Sequence, residues 1–205
     1  MPVVVVANPK GGVGKSTVAT QIAGYFAWRG RAVMLGDVDR QQSSRTWLGL
    51  RPAGLPHIGA WEVARDEVVR PPKGTTHVVL DTPAGLHGKR LDEVLRIADR
   101  IVIPLQPSIF DIHATDEFVR QLLAHKRSDK LKIALIGMRT REGTIATGHL
   151  RSFLDQVGVP LLGLLRDTQN YVHLAAHGLT VWDVSSARVE RDREQWAPIT
   201  TWLDS

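Results

Sequence analysis

The residues best suited to chemistry lie at positions 7–17, which read Ala-Asn-Pro-Lys-Gly-Gly-Val-Gly-Lys-Ser-Thr. Three glycines let the backbone turn tightly and bring its N–H groups against a phosphate with no Cβ in the way. Lys15 can supply a cation to the outer phosphates, and the hydroxyl of Ser16 can ligate Mg²⁺. The stretch therefore predicts a site for the phosphates of a nucleotide.

The segments on either side of this loop can position it. Four valines at 3–6 predict a buried strand before the loop, and the helical spacing of Val18, Ile22 and Phe26 predicts a helix after it. The start of that helix adds unpaired N–H groups and the positive end of its dipole. A chance match to Lys-Gly-Gly-x-Gly-Lys-Ser in such a chain has a probability on the order of 10⁻⁴, so a merely flexible glycine turn is the weaker interpretation.

Two further apolar runs end in aspartate. Residues 32–35 lead to Asp37 and Asp39, and residues 77–80 lead to Asp81. Ligands of an open α/β sheet gather at the carboxyl ends of its strands, so the three acids are expected on the same rim as the loop. Two carboxylates at i and i+2 repel each other unless a cation or a proton network lies between them. The alternatives are a turn of solvated acids at 37–41 and a simple aspartate cap at 81.

The alternation of apolar runs with amphipathic stretches predicts one α/β domain. We expect a P-loop NTPase-like fold with a mostly parallel, twisted sheet and helices on both faces. At 205 residues the chain is long enough for one such domain and too short for two of ordinary size. Strands are predicted at 3–6, 32–35, 77–80, 101–104, 132–138 and 161–165. Helices are predicted at 16–29, 43–50, 60–70, 91–98, 111–125 and 150–157.

The composition excludes several classes of site. There are no cysteines, which rules out disulfides, thiolate zinc sites and iron–sulfur ligation. No apolar run approaches the roughly 20 residues that cross a bilayer, and no signal peptide is expected. The net charge of +5 and the pI near 9.9 favour association with polyanions such as nucleic acid, or with acidic membrane.

The two-lysine form of the loop, KGGVGKST at 10–17, resembles the deviant Walker A motif of the ParA/MinD family of ATPases. The chain is most similar to the small ParA (ParF-like) members of that family. The resemblance implies that Mg²⁺ and ATP bind to the loop. In the family, the first lysine crosses a dimer interface to the phosphates held by the other subunit. The cofactor-binding residues would be Lys10, Gly11, Gly12, Val13, Gly14, Lys15, Ser16 and Thr17.

The family resemblance extends to the three acids. The stretch 37–41 is similar to the family's Asp-x-Asp-Pro-Gln, with Arg40 in place of proline. It implies that Asp39 positions the attacking water and that Asp37 supports the Mg²⁺ shell. Asp81 would be the Walker B acid. The implied catalytic residues are Lys10, Lys15, Asp37 and Asp39, and the implied metal-site residues are Ser16, Asp37 and Asp81.

Arginines near the C-terminus match family positions that contact DNA. Arg166 follows the last predicted strand, and Arg188, Arg191 and Arg193 come later. Phosphates need cations, and a dimer doubles any basic patch. The alternative is a solvated helix in which these arginines pair with the acids at 190, 192 and 194.

An apolar stripe closes the sequence, formed by Trp196, Ile199, Trp202 and Leu203. MinD-type proteins end in a basic amphipathic membrane anchor. Here Pro198 interrupts the stripe and it has no lysines. We therefore expect a helix that docks on the core, and membrane binding is not expected.

Together the resemblance implies a cytoplasmic, nucleoid-associated ATPase formed by one domain over 1–205, without an N-terminal helix-turn-helix domain. A homodimer would form on Mg-ATP and bind non-specific DNA. A ParB-like or cargo-adaptor protein would stimulate hydrolysis, so that plasmid or chromosomal DNA is segregated. One alternative uses the same chemistry on a protein cargo such as a carboxysome or a chemoreceptor array. Another, from a different class, is a metabolic ATP-dependent enzyme of the dethiobiotin-synthetase type.

Overall fold

The computed structural model describes residues 1–62, 71–154, 156–185 and 187–205. Its centre is a seven-stranded sheet with the order β3-β2-β4-β1-β5-β6-β7, in which every adjacent pair is parallel. The strands are β1 (Val3–Val6), β2 (Val33–Asp37), β3 (Ile58–Trp61), β4 (His77–Asp81), β5 (Arg100–Leu105), β6 (Lys132–Thr140) and β7 (Leu161–Arg166).

Helices cover both faces of this sheet. They are α1 (Lys15–Trp28), α2 (Ser43–Leu50), α3 (Gly88–Ile97), α4 (Ile109–Leu123), α5 (Ile145–Leu154), α6 (Asn170–Ala175) and α7 (Glu190–Asp204). Alternate residues of β1 enter two separate cores. Val4 and Val6 pack with α1, α6 and α7, whereas Val3 and Val5 pack with α3 and α4. A parallel strand buried on both faces is uninterruptedly apolar, which explains the run of four valines.

The six predicted strands are confirmed, and the sheet is wholly parallel. The predicted helix at 60–70 is wrong where the structure describes it, because residues 60–61 belong to β3. The rest of that prediction, from 63 to 70, lies outside the described residues. Ile58 and Trp61 are both buried and are spaced as on a helix, yet hydrogen bonding to β2 makes the segment an edge strand.

The predicted docking of the C-terminal stripe is confirmed. α7 packs against β7 and buries Trp196, Ile199 and Leu203. Pro198 lies inside α7 without ending it. Within the described ranges, no helix is both long enough and apolar enough to cross a membrane.

The sheet order brings the predicted site together. β1 lies between β4 and β5, and β2 lies on the other side of β4. Val6 is paired with Asp81, which in turn is paired with Asp37. The loop after β1 and the ends of β2 and β4 therefore share one edge, at the point where the order of strands reverses and α/β sheets bind their ligands.

Candidate nucleotide-binding site

The backbone of the loop after β1 requires glycine at two positions. Gly12 has φ of 74° and Gly14 has φ of 99°, both in the left-handed region. A Cβ on Gly14 would also lie 2.8 Å from the Cε of Met138. α1 begins directly afterwards, with no side-chain cap and no acidic residue in its first turn. Its first N–H groups therefore remain available for an anion.

Lys15 is buried and points back at its own loop. Its Nζ donates a hydrogen bond to the carbonyl of Lys10 at 2.7 Å. Burial lowers the pKa of the Lys15 ammonium, and the negative charges of Asp81 and Asp39 oppose that shift. A phosphate arriving at the loop would supply the counter-charge that this buried cation lacks.

The two oxygens of Asp81 differ in their hydrogen bonding within the described residues. Its Oδ2 accepts a hydrogen bond from the Ser44 hydroxyl at 2.7 Å. Its Oδ1 is buried and has no hydrogen-bond partner in the part of the chain that the structure describes. Burial raises the pKa of Asp81 to about 6, although the hydroxyls of Ser16 and Ser44 favour the ionised form.

Asp37 is held by backbone donors. Its Oδ1 accepts from the N–H of Asp39 at 3.0 Å, and its Oδ2 accepts from the N–H groups of Ser44 at 2.8 Å and Arg45 at 3.2 Å. Burial raises the pKa of Asp37 despite these donors. Asp39 is more exposed, and its Oδ1 accepts from the N–H of Gln41 at 3.0 Å. Asp37 thus caps α2, whereas Asp39 lies close enough to Lys15 for its charge to raise the pKa of that lysine.

These residues fit a magnesium nucleotide. A buried carboxylate oxygen without a partner among the described residues, such as Asp81 Oδ1, fits a ligand or an ion at this position. No group of three or more His, Cys, Asp or Glu side chains in the described ranges is arranged to hold a metal. Mg²⁺ needs no such cage, since it is usually bound by one or two carboxylates together with phosphates and waters. Ser16 and Asp81 would hold it, and Asp37 would support them.

Sequence reasoning missed three residues of the site, and two of them, Asn8 and Gln106, connect the loop to β5 and its neighbours. Asn8, fully buried, donates from Nδ2 to the carbonyl of Pro104 and to the hydroxyl of Thr115, and its Oδ1 accepts the N–H of Lys10 at 2.8 Å. Gln106 donates to the carbonyl of Gly12 at 2.8 Å. The third is Ser44, described above. Asn8 lies within the loop stretch 7–17 itself, whereas Gln106 and Ser44 lie outside it.

The four arginines predicted to contact DNA differ in their surroundings. Arg166 forms a two-pronged ion pair with the buried Asp192, at 2.6 and 3.2 Å. Arg193 donates to the carbonyls of Val181 and Val184.

Arg191 is largely exposed and lies 3.4 Å from Glu142. Arg188 is exposed, and its carbonyl accepts from Asn170, which also binds Asp192. Arg166 and Arg188 are therefore connected through Asp192 and Asn170. The ion pairs of Arg166 and Arg191 join different elements, rather than successive turns of one helix as the alternative interpretation supposed.

Comparison with known families places the chain in a class. The family model described as the CobQ/CobB/MinD/ParA nucleotide binding domain matches residues 4–181. The chain therefore belongs to this family of nucleotide-binding domains, which confirms the ParA/MinD resemblance.

Individual relatives narrow the comparison. A "Maintenance of carboxysome distribution protein A" from Gloeobacter kilaueensis is 31% identical over 91% of this chain and 87% of its own length. The "Chromosome-partitioning ATPase Soj" from Thermus thermophilus is 38% identical over 66% of this chain and 67% of its own.

Solved structures show the same fold. A Cyanothece McdA–ATP complex has a TM-score of 0.73 at 15% identity, covering 98% of this chain and 96% of its own. The septum site-determining protein MinD from Pyrococcus horikoshii, complexed with Mg-ADP, has a TM-score of 0.73 at 17% identity and covers 100% of this chain and 96% of its own. At these identities the likeness concerns the fold alone.

Proposed function

We propose that the protein is a ParA/MinD-type positioning ATPase, which dimerises on Mg-ATP and hydrolyses it when a partner protein binds. The observation that carries the proposal is the juxtaposition of an uncapped helix start, a buried lysine and the orphaned oxygen of Asp81 on one rim. Together these supply an anion site, a cation and a metal ligand, which are the parts that phosphoryl transfer requires.

Each residue has a distinct role in this reaction. Lys15 would leave the carbonyl of Lys10 and bind the outer phosphates, while Ser16 and Asp81 orient the metal. The bound Mg²⁺ would neutralise charge on the β- and γ-phosphates. Asp39, more exposed than Asp37, would orient the water that attacks the γ-phosphate.

Lys10 is the residue that makes the reaction depend on a dimer. Its side chain is half-buried and makes no hydrogen bond to any residue that the structure describes. Its backbone, in contrast, is fixed by Asn8. It would therefore reach the phosphates of a second copy of the chain. A cation supplied across an interface in this way contributes about 10³–10⁵ in rate in other phosphoryl-transfer enzymes.

The ATP-bound dimer would bind non-specific DNA through Arg166, Arg188, Arg191 and Arg193. The net charge of +5 supports association with a polyanion. Arg191 suits this role by its exposure, since its side chain is 58% accessible. A protein of this kind would be found on the nucleoid, in the cytoplasm.

Two types of cargo remain compatible with this mechanism. The Thermus relative is named for chromosome partitioning, which supports segregation of plasmid or chromosomal DNA with a ParB-like partner. The Gloeobacter relative matches a larger share of the chain and is named for carboxysome distribution, which supports a protein cargo with its own adaptor. The partner protein, and not the ATPase site, would decide between them. A metabolic enzyme of the dethiobiotin-synthetase type would instead turn over a small substrate without DNA.

The dimer is tested by light scattering of the full chain with ATP and with ADP. We expect the mass to double with ATP. Lys10→Ala should still bind nucleotide and stay monomeric, because only the contribution across the interface is lost. Lys89→Ala, which removes an exposed lysine on α3, is the matched control. Normal dimerisation of Lys10→Ala would refute the role of Lys10 across the interface.

Retention on random-sequence DNA separates the positioning functions from the metabolic one. We expect retention that requires ATP and weakens in Arg191→Ala. Arg120→Ala is the control, because Arg120 is also an exposed arginine in a surface ion pair. An ATP-saturated protein that does not bind DNA would contradict the nucleoid-based mechanism. Following plasmid loss and the distribution of protein assemblies in a strain without the gene would then identify the cargo.

A further inference from the structure

Ser44 connects the two buried acids of the site. It lies in the first turn of α2 and is fully buried. Its N–H donates to Asp37 Oδ2 at 2.8 Å, and its hydroxyl donates to Asp81 Oδ2 at 2.7 Å. Asp37 and Asp81 are paired residues at the ends of neighbouring strands, β2 and β4. One serine therefore contacts both strand ends through two separate donors.

The hydroxyl gives the two oxygens of Asp81 different roles. The terminal torsion of an aspartate is broad and roughly two-fold, so the carboxylate has little orientation of its own. Ser44 occupies Oδ2, while Oδ1 remains without a partner among the described residues. The donor thus fixes the plane of the carboxylate and leaves one oxygen for a ligand.

Ser44 does not follow the usual behaviour of a serine in a first helical turn. Such serines commonly face solvent or bond to a nearby backbone group. The adjacent Ser43 is exposed to solvent. The Ser44 hydroxyl instead binds Asp81 at the end of β4, 37 residues away in sequence. The contact encloses a hydroxyl, and it is made to an acid whose other oxygen, Oδ1, has no hydrogen-bond partner in the described part of the chain.

We propose that Ser44 is a positioning residue for the magnesium site: its hydroxyl holds Oδ2 of Asp81 so that Oδ1 faces the metal of a bound nucleotide. This inference rests on the proposed function, because it needs a magnesium nucleotide at the loop. It also joins the metal site to the segment that carries Asp39, since the N–H of Ser44 and the N–H of Asp39 are both bound by Asp37.

The test measures metal affinity without catalysis. A fluorescent ADP analogue is bound to the full chain in EDTA, and Mg²⁺ is then titrated. Removing a group that orients a metal ligand typically lowers metal affinity by about 10- to 100-fold. We expect that loss for Ser44→Ala, with ADP affinity in EDTA within about two-fold of wild type. Ser43→Ala, a neighbouring serine on the same turn, should match wild type.

A second pair of variants separates the hydroxyl from packing. Ser44→Thr keeps the hydroxyl and Ser44→Val replaces it with a methyl group of the same shape, so both introduce the same bulk into the buried site. We expect Mg²⁺ affinity to be higher in the threonine variant than in the valine variant, even if both are less stable than wild type. In an Asp81→Asn background, Ser44→Ala should cause no further loss, because the group that it orients no longer carries a charge.

The outcomes distinguish this inference from the proposed function. If wild type binds ADP with no dependence on Mg²⁺, the magnesium site itself is wrong and both fall. If wild type depends on Mg²⁺ and Ser44→Ala depends on it equally, only the role of Ser44 is overturned. A loss of ADP affinity in EDTA equal to the loss with Mg²⁺ would also overturn it, since that pattern indicates a general structural role.

Discussion

Replacing Asp81 by asparagine should stabilise the nucleotide-free protein at neutral pH. Asp81 is 1% exposed and its Oδ1 has no partner among the described residues, so its ionised form is poorly solvated. Asparagine keeps the shape and an oxygen that can accept the Ser44 hydroxyl, but it carries no charge. The change therefore removes the cost of a buried carboxylate that the metal would otherwise offset.

The magnitude follows from the pKa of Asp81, which burial raises from 3.8 to about 6 in the folded protein. The folded state therefore binds this proton more tightly than the unfolded state does. The resulting stability is fully present below pH 3.8 and is lost as the pH rises through about 6. A shift of this size corresponds to about 3 kcal/mol. Asp81→Asn should consequently gain about 3 kcal/mol over wild type near pH 7.5 and less than about 1 kcal/mol near pH 4.

Urea unfolding of both proteins across this pH range measures the difference. Asp37 also has a raised pKa, and its negative charge is one of the causes that raise the pKa of Asp81, so the measured difference includes the repulsion between the two acids. Asp39→Asn is the control, because it removes the same charge from a more exposed side chain on the same rim, and it should change stability much less. A wild type and an Asp81→Asn variant with parallel pH profiles would refute the argument, since Asp81 would then ionise equally well in both states.

Four further outcomes are expected. Mg-ADP should raise the melting temperature of wild type more than that of Asp81→Asn, as followed by calorimetry, because the metal relieves the buried charge only in wild type. Gly14→Ala should lower the free energy of unfolding in urea by about 1–3 kcal/mol and weaken nucleotide binding, because the position has φ of 99°. Unchanged stability would contradict this, since it would show that the loop adapts to alanine without strain. Arg166→Ala should lower the free energy of unfolding in urea by about 2 kcal/mol, because it removes the cation paired with the buried carboxylate of Asp192. Partial exposure of the arginine reduces the effect. The free energy of unfolding of Arg191→Ala should stay within about 0.5 kcal/mol of wild type by the same measurement. A loss of DNA binding in Arg191→Ala would therefore identify a DNA contact. A loss in Arg166→Ala alone would not, because that variant is also less stable.

The elements that carry the site could be predicted because their signals are local. β1 is a run of four valines, since a strand buried on both faces must be apolar at every position. The glycines at 12 and 14 follow it because the backbone there needs positive φ. Each of these requirements is met by neighbouring residues, so it is visible in the order of the residues alone.

β3 could not be recognised in this way. It has only four residues, and the spacing of Ile58 and Trp61 is compatible with a helix. What makes it a strand is the free edge of β2, whose hydrogen-bonding groups it satisfies. That edge lies more than 20 residues earlier in the chain, and no local propensity describes it.

The sequence by itself determined the type of loop, the acids at the ends of two strands and six of the seven strands, because each depends on the chemistry and spacing of adjacent residues. Only the tertiary structure decided that one oxygen of Asp81 has no partner among the described residues, that Ser44 binds the other, and that Arg166 is paired with a buried acid. These facts depend on side chains distant in sequence and on the exclusion of water. Burial and the pairing of distant residues therefore set the charges of the nucleotide-binding site, and neither can be read from one stretch of the sequence.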